Sequence, residues 1–132
     1  MKTCWNRIAE RIVSDDYVKK AKLCFSDLMP IVLSKYEELF GEQGGIDDDL
    51  DILVTENGLP EGKVGAFKMK GNGRNRSVLI VSPGAFSGER APYWFVIAHE
   101  LIHAVLKNPD DPHDGRFDAM AEAMRIPQRY RD

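Results

Sequence analysis

The chain has 132 residues, a length that fits one domain spanning 1–132 and buries a core without disulfide staples. At 43% hydrophobic and 30% charged residues it has the make-up of a folded soluble protein rather than a disordered or fibrous one. The formal charge of −3 excludes the global basic field that drives non-specific nucleic-acid binding, although a local patch is compatible with it.

The N-terminal stretch is no secretion signal, because Arg7, Glu10, Arg11, Asp15 and Asp16 interrupt every apolar run. Residues 3–13 and 15–40 are predicted helices. In the second, Tyr17, Ala21, Phe25, Leu28 and Val32 recur at spacings of three and four, Ser14-Asp15-Asp16 supplies an N-cap, and Pro30 kinks or divides it. Gly41 and "GEQGG" end it. Cys4 and Cys24 are too few and too far apart for a thiolate metal site, and read as reduced thiols on these helices. No run approaches the roughly 18 apolar residues of a membrane span. The cytoplasm is the expected location, with no membrane partner.

"LDILVTE" and "KVGAFKMK" are predicted strands joined by the turn "NGLPEG". "GNGRN" is a second turn, and "RSVLIVS" the most strand-like segment of all, ended by Pro83 and Gly84. Three antiparallel strands are the simplest arrangement. "GERAPYWFVIAHELIHAVLK" is a helix with Pro92 in its first turn, apolar nearly all round and therefore buried. "NPDDP" breaks the chain, and "HDGRFDAMAEAMRI" forms a last helix stopped by Pro127. The order predicts an α+β fold: N-terminal helices, a small three-stranded, mostly antiparallel sheet, a motif-bearing helix and a C-terminal helix.

The three histidines, His99, His103 and His113, all fall in one stretch. The first two form H-E-x-x-H with Glu100. On a helix, positions four apart differ by about 40° around the axis, so both imidazoles share one face and can share one ion. Neutral imidazole is a common zinc ligand, and Glu100, adjacent to His99, is placed to act on a water at the metal without ligating the metal itself. Histidines on helices are also found as solvated or satisfied core residues, but the flanks "FVIA" and "LIHAV" make burying two imidazoles and a carboxylate costly unless they have work to do. A catalytic zinc needs a third protein ligand and an open position. His113 is ranked first. Asp114, Asp118 and Glu122 are alternatives, Glu122 lying nineteen residues past His103. The longer H-E-x-x-H-x-x-G-x-x-H pattern is absent, since Leu106 and Pro109 occupy its later positions.

With "SVLIVSP" before "HELIHAV" and "DPHDGRFDAMAEAM" after it, the sequence over residues 63–126 resembles the SprT-like zinc metallopeptidases, which include the Spartan-type proteases. Members similarly carry a downstream histidine followed four residues on by an aromatic, here His113 and Phe117. The resemblance implies a zincin-like fold, zinc on His99, His103 and His113, and Glu100 as general base. Two cysteines cannot build the zinc ribbon that many members append, so the expectation is a minimal peptidase core. The implied reaction is hydrolysis of a protein or peptide substrate by metal-activated water. Tyr93, Arg116 and Tyr130 are weak candidates for an oxyanion donor, and a strand beside the cleft could hold an extended peptide; "RSVLIVS" is a candidate, although its buried-looking composition fits a central strand equally well. Two other classes stay open. Lys63, Lys68, Lys70, Arg74 and Arg76, with the arginines of "RIPQRYR", would suit a nucleic-acid-associated module that retains zinc. Four protein ligands around the ion would make it a structural zinc protein.

Overall fold

A computed structural model describes residues 15–46, 50–71, 76–86, 92–107 and 115–130. The predicted helix over 3–13 and the Ser14 cap lie outside them, as do Cys4, Arg74, His113 and Asp114. The described residues form an α+β fold of three helices and a three-stranded mixed sheet.

Helix α1, Asp15–Phe40, buries Ala21, Cys24, Leu28, Val32 and Tyr36, one residue per turn along a single face. It runs through Pro30 unbroken. Pro30 and Ser26 both face solvent, so the Ser26 carbonyl that loses its helical donor can be served by water. Gly41 ends the helix in the left-handed region, φ 70°, with its N–H on the Glu37 carbonyl at 2.9 Å.

The strands are β1, Asp51–Val54, β2, Gly65–Lys68, and β3, Val78–Val81. Their order is β1-β3-β2, with β1 parallel and β2 antiparallel to β3. This corrects the expectation of a mostly antiparallel sheet with β1 and β2 joined as a hairpin. Burial explains it. β3 reads Val-Leu-Ile-Val and is buried at Leu79, Ile80 and Val81, so it takes the centre, while Asp51, Leu53 and Lys68 are tolerated on the flanking strands. The ten-residue link 55–64 is long enough to cross over the strand between, whereas hairpin loops are usually about 2–5 residues. "RSVLIVS" is therefore the interior strand and offers no edge to a peptide.

Helix α2, Tyr93–Leu106, packs against α1, β2, β3 and a third helix, and every residue from Val96 to Val105 is buried. It ends at Lys107, φ 58°, whose N–H returns to the His103 carbonyl. Helix α3, Gly115–Ala123, turns Phe117, Met120 and Ala121 inward. It stops before Pro127 is reached. Arg125 adopts φ 58°, and the N–H groups of Arg125 and Ile126 bond back to Glu122 at 3.0 Å and Ala121 at 2.9 Å. That double closure seats the fully buried Ile126 in the core, which offsets the strain of a non-glycine residue in the left-handed region. A short 3-10 turn, Gln128–Tyr130, then docks on α2. Among the described residues no helix is long and apolar enough to cross a membrane.

Candidate metal centre

Helix α2 places His99 and His103 one turn apart, with ring centroids 5.1 Å apart and planes tilted by 55°. Together with Glu100 they offer three ligand-capable atoms within 4.8 Å of one another, the group of that kind found among the described residues. The setting is dry: His99 is 7%, Glu100 8% and His103 5% exposed. Ile97, Ala98, Leu101 and Ile102 around them are fully buried, so the polar trio stands inside the core rather than on a solvated stripe.

The neighbours orient each member. Nδ1 of His99 lies 3.0 Å from the Tyr130 carbonyl oxygen. A carbonyl only accepts, so Nδ1 holds the proton and Nε2 keeps the lone pair. Nε2 is 3.8 Å from Oε2 of Glu100. Phe117 of α3, fully buried, meets both imidazoles: 4.9 Å from His99, edge-on, and 4.8 Å from His103, stacked at 27°.

Glu100 is pressed against β2. A Cβ added at Gly65 would lie 2.6 Å from Cγ1 of Val96 and 3.2 Å from Oε2 of Glu100, so glycine is what lets the strand approach. The Phe67 backbone N–H donates to the same carboxylate. Burial pushes the Glu100 carboxyl up to about 8, and the charge of Lys63 and the Phe67 N–H pull the other way. Val64 accepts from Ser82 across the β2–β3 ladder. By alternation, the peptide groups of Gly65 and Phe67 therefore face away from β3, toward the edge that carries no further strand among the described residues.

Of the predicted site residues, His99, Glu100 and His103 come together, while His113 lies outside the described residues. Asp118 and Glu122 are exposed on α3 and do not join the group. Glu122 sits about 140° around the helix from Phe117, away from the face that meets the imidazoles. The oxyanion candidates are engaged elsewhere. Tyr93 stacks on Phe86 at 4.6 Å, and Arg116 donates to the Tyr36 hydroxyl at 2.9 Å and lies over the Phe40 ring. Tyr130 acts through its carbonyl, a role no side chain advertises. Of the basic residues, Arg76 pairs with Asp51 at 2.9 Å and the Arg129 guanidinium lies over the Tyr130 ring.

The donor set fits zinc. It supplies two imidazoles, one with an outer carbonyl on its Nδ1, and a carboxylate beside them, all three buried. Comparison with known protein families, curated proteins and solved structures found no match.

Proposed function

We propose that this chain is a zinc-dependent peptidase of the SprT-like, zincin-like kind. His99 and His103 hold the ion, His113 supplies the third ligand, and Glu100 is the general base. The observation that carries the proposal is the buried His99–Glu100–His103 group, three ligand-capable atoms within 4.8 Å of one another on one helix. His113 is four residues before Phe117 in the chain, and Phe117 touches both rings, which supports choosing it as the third ligand.

Zinc, when bound, supplies the Lewis acidity that activates water and polarises a scissile carbonyl. The chain's own groups do the rest. Glu100 accepts the proton of the attacking water at its carboxylate and returns it to the leaving amine, a task served best by a group that titrates near the working pH. With an ion on the two imidazoles, the Glu100 carboxylate would be held ionised, the form that accepts. The outer edge of β2, which carries no further strand among the described residues, is the natural rail for an extended peptide, since its outward peptide groups lie beside Glu100. The depth of burial also suits a second reading, a structural zinc protein with a closed shell.

Glu100→Gln separates the two. It keeps the shape of the side chain and cannot take the proton. It should keep zinc and fold while losing about 10²–10⁴-fold in cleavage of unstructured protein substrates, assayed with and without single-stranded DNA. Equal cleavage by the zinc-loaded variant refutes the assigned base. Absence of cleavage by zinc-loaded wild type across the panel, with no exchangeable water, favours the structural site.

A further inference from the structure

The turn that touches His99 is built with some care. Pro127 opens it, and the Tyr130 N–H closes it on the Pro127 carbonyl at 2.9 Å. The Tyr130 ring then lies on Phe95, 5.2 Å between centroids and 17° between planes. The Arg129 guanidinium sits 4.9 Å from the centre of the same ring. Phe95 belongs to α2, one turn before His99. The ring is thereby anchored to the helix that carries the ligand, and the carbonyl of the same residue lands on that ligand's Nδ1 at 3.0 Å.

We infer that Tyr130 is the positioning residue of His99: its ring, stacked on Phe95, clamps its own carbonyl onto Nδ1 and so presents Nε2 to a divalent metal. The inference rests on the metal reading above. It assigns to the ring a task that the carbonyl performs. The carbonyl survives any substitution at 130, so removing the ring leaves the hydrogen-bonding atom in the chain and takes away only what holds it in place. An imidazole without this partner can carry its proton on either nitrogen and can rotate about χ2. Both spoil it as a ligand.

Tyr130→Ala should weaken zinc binding by about 10–100-fold, the usual loss for an outer partner of a ligating histidine, measured by competition with a chromophoric chelator. Tyr130→Phe keeps the ring and should bind zinc as wild type does. Phe95→Leu removes the other half of the stack and should reproduce the loss. A second readout needs no metal: nitrogen-15 spectra of the His99 ring should show the Nδ1–H tautomer in metal-free wild type and Tyr130→Phe, and a mixture in Tyr130→Ala. A purely structural role for Tyr130 would lower the melting temperature and leave tautomer and zinc affinity unmoved, which overturns the clamp. If wild type binds no zinc, the metal reading falls and the clamp with it. If wild type binds zinc and both Tyr130→Ala and Phe95→Leu bind it equally tightly, the clamp alone is wrong.

Discussion

Replacing Phe117 with alanine strikes the core and the candidate site together. The side chain has no exposed surface, and its ring lies within 5 Å of both imidazole centroids, at 4.9 and 4.8 Å. Truncating a buried phenylalanine costs about 3–5 kcal/mol, of which each ring contact accounts for roughly 0.5–1.5. Against a total of about 5–15 kcal/mol for an ordinary domain, that is a fifth of the stability or more. The melting temperature of the metal-free protein should fall by roughly 10–25 °C. Phe117→Leu refills most of the volume without a flat face, so it should cost only about 1–1.5 kcal/mol and stay folded. In that variant the imidazoles lose the surface that holds their planes, and zinc affinity should drop although the core survives. Urea titrations of metal-free protein, with slopes compared between variants, give the first number, and chelator competition on Phe117→Leu gives the second. A loss below about 1 kcal/mol in the alanine variant with an unchanged slope would refute the packing described for α3 on α2.

Purified protein should carry one zinc per chain; His99→Ala and His113→Ala should lose it by elemental analysis, and exposed Glu122→Ala should not. Loss in Glu122→Ala with retention in His113→Ala would reassign the third ligand. Stripping the zinc with a chelator should lower the melting temperature, because an ion bound only to the folded state stabilises it by mass action. In metal-free protein, folded Glu100 keeps its proton up to about 8, whereas an ordinary glutamate gives it up near 4.5. The folded chain therefore binds more protons across that window, and stability should fall as pH rises from about 4.5 to 8. Glu100→Gln should flatten this slope in urea titrations, and an unchanged slope would show that Glu100 is not buried as described. Burial, with Asp27 adding to it, pushes the Cys24 thiol up to about 12, so a maleimide should label Cys24 at pH 8 only once the protein is unfolded.

Much of this arrangement is legible in the residues, for local reasons. The apolar flanks of His99 and His103 give a buried helix, and the spacing of Ala21, Leu28 and Val32 gives the inward face of α1. The four-residue spacing puts His99 and His103 on one face of the helix, with Glu100 next to His99 in the chain. What escapes the sequence is non-local or belongs to the backbone. Strand order depends on which strand wins the centre, and the only hint is the length of the 55–64 link together with the apolarity of β3. The early end of α3 follows from Ile126 folding back over Arg125, a residue with no conformational signature. The Tyr130 carbonyl and the Phe67 N–H carry no side-chain signal. The open space that Gly65 leaves for Glu100 is visible only when β2 and α2 are set side by side.

The candidate ligands of α2 are neighbours in the chain, but the groups that orient them are not. Phe67 lies thirty-three residues upstream of Glu100 on an edge strand, and Phe117 and Tyr130 follow on separate later elements. A nascent α2 can bring two imidazoles together within microseconds, long before the parallel β1–β3 pairing and the docking of α3 are complete. Such a helix would be an indiscriminate chelator, because nothing yet fixes a tautomer, a ring plane or the carboxylate. Selectivity would arrive only with the last contacts to form. If the helix binds a metal as proposed, capture would be timed by topology: the helix could meet an ion as soon as it forms, and the later contacts would decide when that ion is held in a defined way.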